Sequence, residues 1–342
     1  MAAGNKIGAD ISGADEHALR NIDCGGLILE IDAAEDVDAL LAGAKYSVIG
    51  KTVEAAEIIT AVETFDLEKA IAEWTAPLEG VFPTNAKEDK GEIKKFEYKE
   101  RSLLKPAISI AKPRIFIPAF PGTNCEMDSK RAFERAGGIG NIQVLTNMTP
   151  ASLDDSIKKM VENIRNSQII MIPGGFSGGD EPDGSAKFIT AVFRNPAVSE
   201  AVTDLLENRD GLMLGICNGF QALIKLGLVP YGKIIDTDEN CPTLTFNNIS
   251  RHQSRIVHTR IASTKSPWLS LMNVGDVVNV PISHGEGKFL ASPELIAELA
   301  ANGQIATQYV DLDGKATDDV HFNPNDSMFA IEGITSPDGR VF

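Results

Sequence analysis

Cys217 sits in Gly215-Ile216-Cys217-Asn218-Gly219, between the apolar run GLMLGI and the helix-like NGFQALIKLGL. Glycines two residues before and two after a nucleophile permit a sharp strand-to-helix turn with close packing. Such a turn lifts the thiol above a sheet and sets it at a helix N-terminus, where the dipole favours thiolate. A lone cysteine is more often buried and inert. The strand, both glycines and the helix start reverse that expectation, and Cys217 reads as a nucleophile for acyl transfer.

Acyl transfer also needs backbone N–H groups aimed at the developing oxyanion. Pro173-Gly174-Gly175-Phe176 ends another apolar run, QIIMI. Alone it is a turn; beside an elbow on a neighbouring strand it predicts one oxyanion donor, and Asn218, the residue after the nucleophile, predicts a second. A thiol nucleophile then wants a histidine base oriented by a carboxylate. His17 lies far upstream, His252 and His258 sit in the basic stretch SRHQSRIVHTR, and His321 falls in the turn-like DDVHFNPND. His284 stands two residues before Glu286, and residues two apart share a face of an extended segment. Spacing therefore nominates His284 and Glu286 as base and orienter, against the alternative of a polar loop closing a sheet.

The elements that must position these groups recur as strand, glycine turn, helix. PRIFIPAF (113–120), NIQVLT (141–146), QIIMIPGG (168–175) and GLMLGI (211–216) read as strands. Between and after them, MDSKRAFERAG, LDDSIKKMVENIRN (153–166), AKFITAVF, PAVSEAVTDLLEN and NGFQALIKLGL read as helices. Continuous apolar strands alternating with helices predict an α/β fold, a parallel sheet covered by helices on both faces. Ligands in such folds bind beyond the carboxyl ends of the strands. TLTFNNI, RIVHTRI, VVNVPIS, IATQYV and MFAIEGI make the last third richer in strands.

Upstream the pattern differs. GGLILEI (25–31) and YSVIGKTV (46–53) read as strands, AAEDVDALLAGA (33–44) as a helix, and DLEKAIAEWTA (66–76) as a helix capped by Asp66. A charged stretch bracketed by prolines, residues 83–111, reads as a solvated connector, the alternative being a charged surface helix. The expected division is 1–82, 83–111 and 112–342. The opening residues do not resemble a natural domain start, so a truncated α+β fragment is expected there.

Composition narrows the function. Hydrophobic residues make up 43% and charged residues 23%, as in ordinary soluble globular proteins. A formal net charge of -16 argues against a nucleic-acid partner. The four cysteines lack CxxC or metal-like spacing, and so few thiols suit a reducing compartment. The N-terminus lacks the apolar core of a signal peptide. No apolar run approaches the roughly 18 residues of a membrane span. A cytoplasmic protein with no membrane partner is expected.

GICNGFQ around Cys217, IPGGFSGGDEPDG from Ile172, SHGEGKF from Ser283 and PAFPGTNCE (118–126) together resemble the glutaminase domain of phosphoribosylformylglycinamidine synthase, also called formylglycinamidine ribonucleotide synthetase. The resemblance covers about residues 112–342; each motif alone would indicate only a class I glutamine amidotransferase, with a flavodoxin-like sheet. DCGGLILEI, VIGKT and APLEGVFPT (76–84) resemble the end of the ATP-dependent synthetase domain in the large, single-chain form of that enzyme.

The resemblance implies a Cys217 thioester formed from glutamine, with its oxyanion held by backbone N–H groups around Gly175 and Asn218. Ammonia then passes to the synthetase, where ATP activates formylglycinamide ribonucleotide. Gly174, Phe176, Gln221, Asn248, Ser250 and Arg251 are implied as glutamine-site residues. The implied partners are glutamine and the rest of the synthetase. No cofactor is implied for this stretch; ATP and magnesium would belong to the synthetase part, and no P-loop occurs here. In the family the catalytic His-x-Glu pair follows a stretch like SPDGRVF, within which this sequence stops, and no histidine follows His321. The family pattern thus assigns His284 and Glu286 to the pocket or an interface, and leaves the domain truncated at its C-terminal end and without its base.

Competing readings are the glutaminase of another amidotransferase, a cysteine hydrolase of the same architecture that does not use glutamine, and a docking or allosteric module. Acceptor chemistry separates the first and glutamine binding the second; the third would show no turnover.

Overall fold

The computed structural model describes residues 2, 6–15, 25–79, 93–101, 109–178 and 185–342. The chain divides into two compact units, Met1–Pro83 and Thr84–Phe342. His17, Cys24, residues 80–84 of the APLEGVFPT stretch and residues 179–184 of the IPGGFSGGDEPDG stretch lie outside the described residues.

In the first unit, β1 (Gly8–Asp10), β2 (Lys51–Val53), β3 (Glu57–Ile59) and β4 (Thr64–Asp66) form a sheet in the order β2-β1-β3-β4. A short helix, α1 (Val37–Leu40), is capped by Asp36. A longer one, α2 (Leu67–Glu79), starts where Asp66 accepts the Lys69 N–H at 2.9 Å. Two expectations are corrected. The strand read at 25–31 is absent, and Leu27, Ile28 and Leu29 are exposed. The strand read at 46–53 shrinks to its last three residues. An apolar run becomes a strand only where a neighbour offers a ladder, and among the described residues nothing pairs with 25–31.

The second unit is built on a parallel sheet. Its strands are β5 (Arg114–Ala119), β6 (Ile139–Val144), β7 (Ile169–Ile172) and β8 (Leu212–Gly215), in the order β6-β5-β7-β8. Side chains alternate between its faces. Phe116, Ile170, Ile172 and Met213 join a core with α4 (Pro150–Arg165), α5 (Lys187–Phe193), α6 (Pro196–Glu207) and α7 (Asn218–Leu226). Ile115, Ile117 and Met171 face the other way, toward Phe133 of α3 (Glu126–Arg135). The α4 helix starts three residues earlier than its apolar period suggests, because Thr149 and Ser152 form a reciprocal capping box with Pro150 in the first turn.

Val341 and Phe342 run parallel to β8, with the Gly215 N–H donating to the Phe342 carbonyl at 2.8 Å. The strand-rich last third contributes β9 (Thr243–Phe246), β10 (Gln253–Ile261), β11 (Val277–His284), β12 (Glu286–Leu290), β13 (Ile305–Val310) and β14 (Ile331–Ile334). These form an antiparallel sheet, β11-β10-β13-β14, and a separate β12-β9 pair. A helix at Pro293–Ala301, unread in the sequence, follows β12.

The connector read at 83–111 is corrected in part. Residues 83–92 and 102–108 lie outside the described residues, but 93–101 packs on the second unit. Phe96 is buried and donates its N–H to Gln308 Oε1 at 2.8 Å. Tyr98 donates its N–H to the Ala262 carbonyl at 2.8 Å, and its ring fills the space a side chain at Gly303 would need. Lys94, Lys95, Lys99 and Glu97 make this segment look solvated, yet its alternate Phe96 and Tyr98 anchor it. Among the described residues, no helix is long and apolar enough to cross a membrane.

Candidate active site

Strand β8 ends at Gly215, and the chain turns through Ile216 and Cys217 into α7. Cys217 has φ 53° and ψ -109°, a conformation that L-residues rarely adopt. Holding it costs roughly 1–3 kcal/mol, which the surrounding packing must supply. Both elbow glycines are needed for that packing. A Cβ on Gly219 would come within 2.0 Å of the Ile172 carbonyl oxygen, and one on Gly215 within 2.7 Å of the Gly219 backbone. The Ile216 N–H donates to the Ile172 carbonyl at 3.1 Å and ties the turn to β7. Asn218 opens α7, so its N–H belongs to the first turn, where no intrahelical acceptor exists.

The turn after β7 lies against the thiol. The point a Gly174 Cβ would occupy is 3.3 Å from Cys217 Cβ. Gly175 has φ +147°, and a side chain there would meet the Gly122 carbonyl at 2.6 Å. Phe176 N–H donates to that same carbonyl at 2.9 Å, and Gly174 O accepts from Asn124 N–H at 3.1 Å. The Gly175 N–H takes part in neither bond.

Elbow and turn open into a cavity of about 350 Å³, within the size range of small-molecule sites. Of the residues nominated from sequence, Gly175, Phe176, Cys217, Gln221, Ser250, Arg251, His284 and Glu286 line it. Gly174, Asn218 and Asn248 do not. Gly174 backs the thiol. Asn218 is buried beneath it, accepting the Ser177 N–H at 3.3 Å and donating to Gln221 Oε1 at 3.0 Å. Asn248 turns away to accept from Lys288 Nζ at 2.9 Å. Its neighbour Asn247 does the local work: its side-chain amide donates to the Arg251 carbonyl at 3.0 Å and the His284 carbonyl at 2.9 Å. That bracket fixes the Ser250–Arg251 loop to the end of β11.

His284 and Glu286 do not hydrogen-bond to each other as a base and its orienter would. Glu286 accepts the Ser185 N–H at 3.2 Å, and its backbone carbonyl accepts from Gln221 Nε2 at 2.6 Å. His284 Nδ1 is buried and has no hydrogen-bond partner among the described residues. Burial, helped by the nearby His252, pushes its pKa down to about 4, against a smaller opposing effect from its own backbone. The two side chains share a pocket wall, as spacing suggested, but a bend at Gly285 separates their strands and breaks the alternation on which the pairing rested.

The cavity also takes in Ser185, Phe246, His252 and Gly285, which the sequence did not single out. His252 shares a 2.9 Å hydrogen bond with Ser283 Oγ, and its ring lies 6.1 Å from that of Phe176. The Cys217 thiol is 3.9 Å from the Ser283 carbonyl. His252 was hidden by its basic neighbours, and its place just before β10 emerges only in the structure. Among the described residues, no three His, Cys, Asp or Glu side chains are grouped to hold a metal ion.

A half-exposed cysteine in a strained strand-to-helix elbow, backed by a glycine turn on the next parallel strand, is the arrangement that cysteine-dependent acyl-transfer enzymes use. More narrowly, residues 112–342 match the model of CobB/CobQ-like glutamine amidotransferase domains, and the chain belongs to that family. Among its relatives is the phosphoribosylformylglycinamidine synthase subunit PurQ of Methanococcus maripaludis strain C7. The two are 34% identical over 232 residues, covering 67% of this chain and 79% of the relative. The subunit of the same name from Salinibacter ruber is 31% identical over 229 residues, covering 67% and 83%. A chain of the solved structure of PurLQS from Thermotoga maritima is similar at 22% identity with a TM-score of 0.48, covering 68% of this chain and 85% of that one.

Proposed function

We propose that this protein hydrolyses glutamine at Cys217 and supplies the ammonia for conversion of formylglycinamide ribonucleotide to formylglycinamidine ribonucleotide in purine synthesis. The observation that carries the reading is the Cys217 elbow at φ 53°, set against the Gly174–Gly175 turn in a small cavity. The names of the relatives point to the acceptor.

The reading assigns the following steps. The Cys217 thiolate adds to the side-chain amide carbon of glutamine. The oxyanion lies between the Gly175 and Asn218 N–H groups. Collapse, with the proton given up by the thiol delivered to the amide nitrogen, expels ammonia and leaves a γ-glutamyl thioester. Water then hydrolyses the thioester to glutamate and free thiol. Phe176, Ser250 and Arg251 form the walls that hold the substrate, Arg251 offering a cation to its α-carboxylate. Gln221 and Asn218 hold the elbow in place from below.

ATP and magnesium serve the synthetase partner, and residues 1–82 are read as the end of a synthetase domain in a cytoplasmic enzyme.

The test is isotope transfer. With amide-¹⁵N glutamine, ATP, formylglycinamide ribonucleotide and the synthetase, the label should enter the amidine. Ammonia release without that transfer would contradict the acceptor assignment, and absence of glutamine hydrolysis would contradict the whole reading.

A further inference from the structure

The run Phe120-Pro121-Gly122-Thr123 closes the carboxyl end of β5 in a tight turn. Thr123 N–H donates to the Phe120 carbonyl at 2.9 Å, and Gly122 has φ +93°. Proline then glycine at the two central positions is the pattern of a type II turn, whose third residue needs positive φ. Thr123 Oγ1 adds a second closure by accepting the Phe120 N–H at 3.0 Å.

Three backbone bonds run from this turn to the turn beside the thiol. Asn124 N–H donates to Gly174 O at 3.1 Å, Phe176 N–H to Gly122 O at 2.9 Å, and Gly178 N–H to Pro121 O at 2.8 Å. The two segments touch backbone to backbone. A Cβ on Gly122 would lie 1.9 Å from the Phe176 carbonyl oxygen. Neither turn can shift alone.

We propose that Thr123 is a positioning residue for acyl transfer: its hydroxyl staples the 120–123 turn, and that turn holds the Gly175 N–H where the oxyanion forms. The proposal rests on the glutamine-hydrolysis reading above. Its logic is that the neighbouring Phe176 N–H is committed to Gly122 O, which fixes the orientation of the turn and leaves the Gly175 N–H for substrate. A preorganised donor contributes only if held in place before the charge develops. Small displacements of such groups reduce rate far more than they reduce binding.

Two substitutions test this. Thr123→Val keeps the shape and removes the acceptor; Thr123→Ser keeps the acceptor. In the valine variant, amide exchange at Phe176 and Gly178 should quicken at least tenfold. Its kcat for glutamine hydrolysis should fall about 10- to 100-fold, with KM within threefold. The serine variant should stay within threefold of wild type in both. Iodoacetamide, which alkylates a thiol without forming an oxyanion, should label Cys217 at the same rate in all three. Unchanged exchange in the valine variant overturns the proposal and leaves the glutaminase reading intact. So does a loss that serine fails to rescue, or one in which labelling slows as much as kcat, since either marks a general packing role. A wild-type protein that hydrolyses no glutamine overturns the glutaminase reading, and Thr123 then has no oxyanion donor to position.

Discussion

Gln221 donates through Nε2 to the backbone carbonyl of Glu286 at 2.6 Å, joining the nucleophile's helix to β12. Its Oε1 accepts from Asn218 Nδ2, whose own oxygen accepts the Ser177 N–H. A line of carboxamides therefore links the elbow, the glycine turn and the far wall of the pocket. Both ends of Gln221 are engaged within the protein, where they hold the pocket walls together. Gln221→Leu should lose about 1–3 kcal/mol of stability by chemical denaturation. Gln221→Glu should lose at least as much, because it sets a carboxylate oxygen against a carbonyl. A leucine variant as stable as wild type would show that these bonds contribute nothing.

The β12 strand is also anchored from beneath. Lys288 Nζ lies 3.1 Å from Asp326 Oδ2 and 2.9 Å from Asn248 Oδ1, with the two charged side chains only 16% and 5% exposed. Removing one member of a buried pair is far costlier than replacing both. Lys288→Met should cost about 3 kcal/mol or more, and adding Asp326→Asn should recover most of it. The comparison is made by urea denaturation of the single and double variants. Additive losses would contradict the coupling.

How much of this was legible depended on how local each constraint is. β5, β7 and β8 read directly as apolar runs, because strands buried on both faces need no alternation. The elbow was legible because its requirements, two glycines and a helix start, fall within a few residues of Cys217. The far wall was not. His252 and Phe246 reach the pocket only through antiparallel pairing that sets Gln253 opposite His284 and Phe246 opposite Glu286, and neither strand encodes that register alone. Asn247 and Asn248 are chemically identical neighbours; only the fold decides that the first brackets the pocket loop and the second faces Lys288. GGLILEI failed in the opposite sense, since its residues carry a strand's composition and, among the described residues, no strand lies beside them.

His284 makes stability depend on pH. Burial holds its folded pKa at about 4, below the ordinary 6.5, so the unfolded chain binds the proton more readily. The stability it contributes is complete above about pH 6.5 and is lost as pH falls toward about 4. The full span corresponds to roughly 3 kcal/mol. Thermal melts from pH 7.5 to 4.5 should show wild type losing more stability than His284→Asn. Parallel losses in the two proteins would contradict a buried neutral imidazole.

The catalytic roles proposed above depend on Cys217 being the nucleophile of a glutamine site, and one labelling experiment tests that directly. The protein is incubated with a glutamine analogue carrying an electrophilic diazoketone in place of the amide, and the modified peptide is identified by mass spectrometry. The account predicts a single adduct on Cys217, slowed by excess glutamine and absent in Cys217→Ser. Labelling of Cys125 or Cys241 instead, or labelling of Cys217 that glutamine does not slow, would contradict it.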